Sequence, residues 1–143
     1  MIKEFDYYIQ NNFVKEGSKD IIEAKALIEK AKGRLEFSIK TREINNNTAP
    51  YTFEEIYECL REAFQSLMAL KGFKPYSHEA IISFLKEFCN FEEEVISSFD
   101  RYRILRNKSV YGAEKISVET CSESLKFLMK SFPKIKKEFD RLK

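Results

Sequence analysis

Apolar residues return every three or four positions along almost the whole chain, and only four glycines and three prolines punctuate its 143 residues. That spacing lines one face of a helix, which turns about 100° per residue, and does not suit the alternation of a half-buried strand. A sheet protein of this size needs more turns than so few Gly and Pro residues supply. No strand alternation, internal repeat or low-complexity tract is visible. The chain therefore reads as all-α, an antiparallel up-and-down bundle of four to five helices with a short N-terminal helix in front. Residues 1–143 form one domain on this reading.

Individual helices can be placed. Ile2, Phe5, Ile9 and Phe13 predict the short leading helix, which Gly17-Ser18 breaks, with Ser18 as N-cap of the next. That second helix carries Ala24, Leu27, Ile28, Ala31, Leu35, Ser38 and Ile39 on one stripe and fades in the polar "NNNTAP" of residues 45–50. Thr52 and Glu55 have the spacing of a capping box for a third helix, through Ile56, Cys59, Leu60, Ala63, Phe64, Leu67 and Met68 to a stop at Gly72. Ser77 is expected to cap a fourth helix, and Asn90 with Glu93 a fifth that runs through Val95, Phe99, Tyr102 and Leu105. The last begins near Ser117 and reaches Leu142, with Pro133 expected to kink or break it. Phe64, Leu67, Leu85, Phe99 and Leu125 lie on these stripes and are expected in the core.

Composition narrows the chemistry. Hydrophobic residues at 43% suffice for a core, and the 34% that are charged must coat the surface. A net charge of +2 produces no global field that would attract nucleic acid, so any basic site must be local. Cys59, Cys89 and Cys121 have no C-x-x-C spacing, and His78 is the single histidine, so buried free thiols are expected rather than a zinc site. No Gly-rich phosphate loop, H-E-x-x-H or nucleophile elbow occurs, and nothing singles out a carboxylate metal site; no cofactor and no metal are expected. Glu4 and Asp6 interrupt any signal-peptide core, and no apolar run approaches the about 18 residues of a membrane span. A soluble, cytoplasmic protein is the expectation.

The charges are unevenly spread. Residues 126–143 hold seven cations and two acids, while acids gather at Glu54, Glu55, Glu58 and Glu62 and again at Glu87, Glu92, Glu93 and Glu94. Helix dipoles account for part of this pattern. The stretch "RILRNKSVYG", residues 103–112, is harder to explain, because an apolar helix ends there in Arg103, Arg106, Asn107, Lys108 and Tyr111. Guanidinium groups bind phosphate in bidentate fashion, so Arg103, Arg106 and Lys108 are candidate phosphate or RNA ligands. Arg103, Asn107 and Tyr111 share a side at i, i+4 and i+8, whereas Arg106 stands about 140° from Tyr111 in a regular helix. The two converge only if the helix ends or opens near Gly112, or if a second subunit completes the site. Read plainly, the same residues are a solvated helix end. His78, after the Pro75 turn, is expected to cap or cover a helix start, with a catalytic role as the alternative, and Tyr7, Tyr8, Tyr51, Tyr57 and Tyr76 to sit at the core edge with hydroxyls in water.

Over residues 18–140 the chain resembles the HEPN family (higher eukaryotes and prokaryotes nucleotide-binding domain), particularly its small prokaryotic members. The likeness lies in "AKGRLEFSIKTREINN", "YTFEEIYECLREAFQSLMALKGFKPYSHEAIISFLKEF" and "DRYRILRNKSVYG". The resemblance implies a cleft at Arg106, Asn107 and Tyr111, a homodimer, and the metal-independent ribonuclease activity of many members, often toxins of toxin–antitoxin pairs. It also implies the alternative of a module that binds nucleotide or RNA, or pairs with a minimal nucleotidyltransferase. Arg106-Asn107 matches the first half of the nuclease motif, but Tyr111 stands where that motif has histidine. A free tyrosine, with a pKa near 10, is only about one part in a thousand ionised at pH 7, which weakens acid–base cleavage. Three readings stay open: a binding module, a ribonuclease with a degenerate motif, and a helical protein-interaction domain. The absent histidine favours binding.

Overall fold

In a computed structural model, which describes residues 1–112 and 114–143, the chain is mostly helical. In order the elements are α1 (Phe5–Gln10), β1 (Val14–Glu16), α2 (Ile21–Gly33), α3 (Ala49–Leu70), β2 (Phe73–Pro75), α4 (His78–Phe88), α5 (Glu93–Tyr111) and α6 (Val118–Leu142). α2 continues as a π-helical stretch over Arg34–Ile39.

α3 is the hub and packs against α2, α4, α5 and α6. Fifteen of its 22 residues are buried, too many for a single stripe, so it is enclosed on several sides. Phe64, Leu67, Leu85 and Phe99 are fully buried, each contributing about 1.5–3 kcal/mol by leaving water. Leu125 differs from the expectation and is half-buried, because the stripe of α6 runs through Cys121, Leu128, Phe132 and Ile135 and leaves Leu125 at its margin. Phe64 and Phe99 meet at 4.6 Å between ring centroids, which ties α3 to α5.

Several boundaries fall elsewhere than the periodicity suggests. Asp20, not Ser18, caps α2, its carboxylate accepting from the Glu23 amide at 2.9 Å. The Thr52–Glu55 capping box does not form, because α3 begins three residues earlier at Ala49 with Pro50 pre-set in its first turn. Asn45 accepts from the Asn47 and Thr48 amides in the approach to that turn. Thr52 is buried instead, its hydroxyl without a partner among the described residues, and Glu55 turns to Arg34 and Ser38. Ser77 and Ser117 do stand at N-caps, but only Ser117 caps with its side chain. Asn90 and Glu93 do not pair as a cap; the Asn90 amide donates to Glu138, and Glu92 is the N-cap. α6 runs unbroken through Pro133, whose missing N–H would have served the carbonyl of Met129, an exposed position that water reaches.

Two strands were not anticipated. β1 and β2 pair antiparallel, with three residues each, and join the end of α1 to the end of α3. Gly72 makes the crossing possible: it has φ 83°, and a Cβ there would collide with the Gly17 carbonyl oxygen. The Gly17 amide donates to the Gly72 carbonyl at 2.7 Å.

Candidate basic and aromatic site

The three cations of the α5 terminus have different surroundings. Arg103 is buried, its Nε 2.7 Å from Asp100 Oδ1 and its Nη1 3.6 Å from Glu79 Oε1. It ties α5 to the start of α4, and Tyr8 reaches the same Glu79 with its hydroxyl at 3.5 Å. Lys108 is exposed and has no ion pair among the described residues. Arg106 is half-buried and has no carboxylate within 4 Å among the described residues. Its guanidinium lies 5.8 Å from the centroid of the Tyr57 ring, within reach of a cation–π attraction. Asn107 accepts a long 3.4 Å contact from Arg106 Nη1.

Tyr111 takes no part in this arrangement. α5 does end near Gly112, but it keeps its helical turns as far as Tyr111, which is 80% exposed, so the ending comes too late to bring Tyr111 to Arg106. Along one side of α5, Arg103 is buried, Asn107 half-buried and Tyr111 exposed, as the helix runs out of the fold. Arg106 and Tyr111 therefore stay about 140° apart within one chain.

What joins Arg106 comes from two other helices. Tyr57 on α3 is fully buried, stacked on Phe99 at 5.6 Å, and its hydroxyl is 2.9 Å from Nδ1 of His78, the first residue of α4. The expectation of a water-facing hydroxyl fails for Tyr57 and Tyr8, which are buried, whereas Tyr51 and Tyr76 are well exposed. Burial raises the Tyr57 phenol well above the usual tyrosine range, so it keeps its proton. Burial, with the positive charges of Arg61 and Arg106, lowers His78 below the usual histidine range, against the opposing pull of Glu58.

With both groups neutral, the direction of this hydrogen bond is set by the imidazole tautomer. If the Tyr57 hydroxyl, which has no other partner among the described residues, donates to Nδ1, the imidazole carries its hydrogen on Nε2. Nε2 makes no hydrogen bond among the described residues and is not a buried orphan, so it meets solvent. Arg61 is engaged by Glu58 through both Nε and Nη2, and that guanidinium outweighs the effect of burial and holds Glu58 below the usual carboxylate range.

The site thus offers the Arg106 guanidinium as a donor and, in that tautomer, the His78 Nε2–H. In the same tautomer the His78 lone pair is turned to Tyr57 and is not free to act as a base. The thiols add no nucleophile, because burial pushes Cys59 and Cys89 up to about 12 and Cys121 up to about 11. Clefts of about 440 and 450 Å3 lie elsewhere, beside Lys86. No group of three or more metal-ligating side chains occurs among the described residues, and no helix there is long and apolar enough to cross a membrane.

The sequence reading placed His78 at a helix start and Tyr57 at the core edge but did not join them, because each finds its partner on another helix. Their only signal was that Pro75 delivers the chain's one histidine to a helix start. Comparison with protein-family models, curated proteins and solved structures returned no match to this chain.

Proposed function

We propose that the chain is a HEPN-like up-and-down bundle that binds nucleotide or RNA at Arg106 without cleaving it. As the resemblance implies, it would act as a homodimer or beside a nucleotidyltransferase-type partner in a toxin–antitoxin system. One observation carries the reading: Arg106 is half-buried over an aromatic ring with no carboxylate to neutralise it among the described residues. A guanidinium in that state, next to an N–H donor on His78 and the amide of Asn107, suits a phosphate oxygen. Lys108 adds an exposed cation one turn from the helix end, while Arg103 supports the site through Asp100 and Glu79.

The alternative, a metal-independent ribonuclease using Arg106, Asn107 and Tyr111, needs a proton acceptor. With its hydrogen on Nε2, His78 would hold its acceptor nitrogen against Tyr57, and Tyr111 faces away from Arg106. The test is binding and cleavage of a labelled single-stranded RNA in the presence of a chelator. Binding that weakens about tenfold or more on Arg106→Ala and within twofold on Lys130→Ala, with the RNA left intact, is the expected result. Equal losses from the two variants would reduce the site to diffuse charge. Absence of binding would leave the protein-interaction reading, and cleavage that disappears on Arg106→Ala would replace binding with catalysis.

A further inference from the structure

The β1–β2 ribbon has an outer face that carries two lysines and an exposed tyrosine. Val14 opposes Pro75, Lys15 opposes Lys74, and Glu16 opposes Phe73. The Tyr76 amide donates to the Phe13 carbonyl at 2.8 Å, which extends the ladder by one rung and sets Phe13 opposite Tyr76. Val14 is buried and Phe73 packs against the core, so by the two-residue period Phe13, Lys15, Lys74 and Tyr76 share the opposite face. All four are exposed, Phe13 at 42% and Tyr76 at 62%.

Two features of this face are unfavourable for an isolated domain. Like charges directly opposite one another on a ribbon repel, and neither Lys15 nor Lys74 has a carboxylate within 4 Å among the described residues. The Tyr76 ring stands exposed next to them, while the Phe13 ring is partly covered, packed edge-on against Tyr8 at 6.3 Å. Cations beside open aromatic faces are the pairing that recognises single-stranded nucleic acid, in which bases stack on rings and phosphates meet ammonium groups. The ribbon also leads straight into the Arg106 site, because only Ser77 separates Tyr76 from His78, about 7 Å of extended chain.

We propose that this face binds unpaired nucleotides, with a base stacked on the exposed Tyr76 ring and flanking phosphates on Lys15 and Lys74. The strand then continues to the Arg106 and His78 donors. The proposal rests on the nucleotide- or RNA-binding reading of the Arg106 site and extends it to a substrate class. The ligand must be unpaired, since a base stacked inside a duplex has no free face.

The experiment measures the affinity of the full chain for a fluorescein-labelled RNA single strand of about ten nucleotides, and for a hairpin duplex of similar length, across a salt series. Tyr76→Ala should weaken single-strand binding roughly 5- to 100-fold with an unchanged salt slope, because it removes stacking and no charge. The double variant Lys15→Gln/Lys74→Gln should flatten the slope of log affinity against log salt by about 1.4, from two lost phosphate contacts. Both should melt at the wild-type temperature, being exposed. Wild-type affinity in Tyr76→Ala, with binding lost in Arg106→Ala, overturns the ribbon proposal and leaves the Arg106 site standing. Loss in the lysine variant alone makes the face a general polyanion surface, such as an acidic protein would use, and overturns base stacking, as does equal affinity for the duplex. Failure of the wild-type chain to bind either RNA overturns both readings.

Discussion

Arg34 and Arg106 are both arginines set against α3, and the fold treats them oppositely. Arg34, in the π-helical stretch after α2, is saturated: its Nε and Nη2 meet the two oxygens of Glu62 at 2.9 and 3.2 Å, and its Nη1 meets Glu55 at 3.0 Å. Glu62 is fully buried and also takes Lys30 at 3.4 Å, while Ser38 donates to the second Glu55 oxygen. The bond with Glu62 raises the Arg34 pKa beyond its ordinary value, so the charge is fixed. Arg106 lies over Tyr57 with no acid to neutralise it among the described residues. A paired guanidinium is spent on holding α2 to α3, and an unpaired one is available to a ligand.

The largest effect that tests this contrast is on stability. Arg34→Ala leaves Glu62 buried with only Lys30 beside it, and unfolding in denaturant should show a loss of about 3 kcal/mol, the low end for breaking a buried pair. Arg106→Ala should change the same midpoint by less than about 1 kcal/mol while lowering RNA affinity about tenfold. If the two variants lose stability equally, the contrast is false.

Thr52 supplies a test of opposite sign. Its hydroxyl is buried without a partner among the described residues, so the isosteric Thr52→Val should stabilise the fold by about 1 kcal/mol. A capping role would make the same change destabilising, and thermal melts read the sign directly.

His78 gives a smaller, pH-dependent effect. Its pKa is lowered on folding, so the unfolded chain binds the proton more readily and stability falls as pH drops below about 6.5 toward the folded value. His78→Asn retains an acceptor for Tyr57 and should flatten the melting temperature between pH 6.5 and 5, above the range where carboxylates dominate. A slope unchanged from wild type would mean that His78 is not held neutral. Smallest of all, Tyr111→His should alter stability by no more than about 0.5 kcal/mol, because Tyr111 is 80% exposed. It should also leave RNA intact unless a second copy brings position 111 to Arg106.

The sequence by itself determined the helical class, the apolar faces of α3, α4 and α5, the stop at Gly72 and the free thiols. Helices are local: each backbone bond closes over four residues, so periodicity and a left-handed glycine mark them directly. Tertiary structure decided what depends on distant partners. Thr52 looked like a cap until the chain before it, from Asn45 to Pro50, started α3 early and buried it. Three-residue strands are too short to show alternation, and β1 finds β2 only across α2 and α3, so the ribbon with Phe13, Lys15, Lys74 and Tyr76 left no trace in the pattern. Arg103 and Arg106 are three positions apart on one helix and nothing local distinguishes them. Asp100 and the Glu79 delivered by α4 neutralise the first, while α3 sets only a tyrosine ring against the second, because pairing of charges is settled by whichever helix packs alongside.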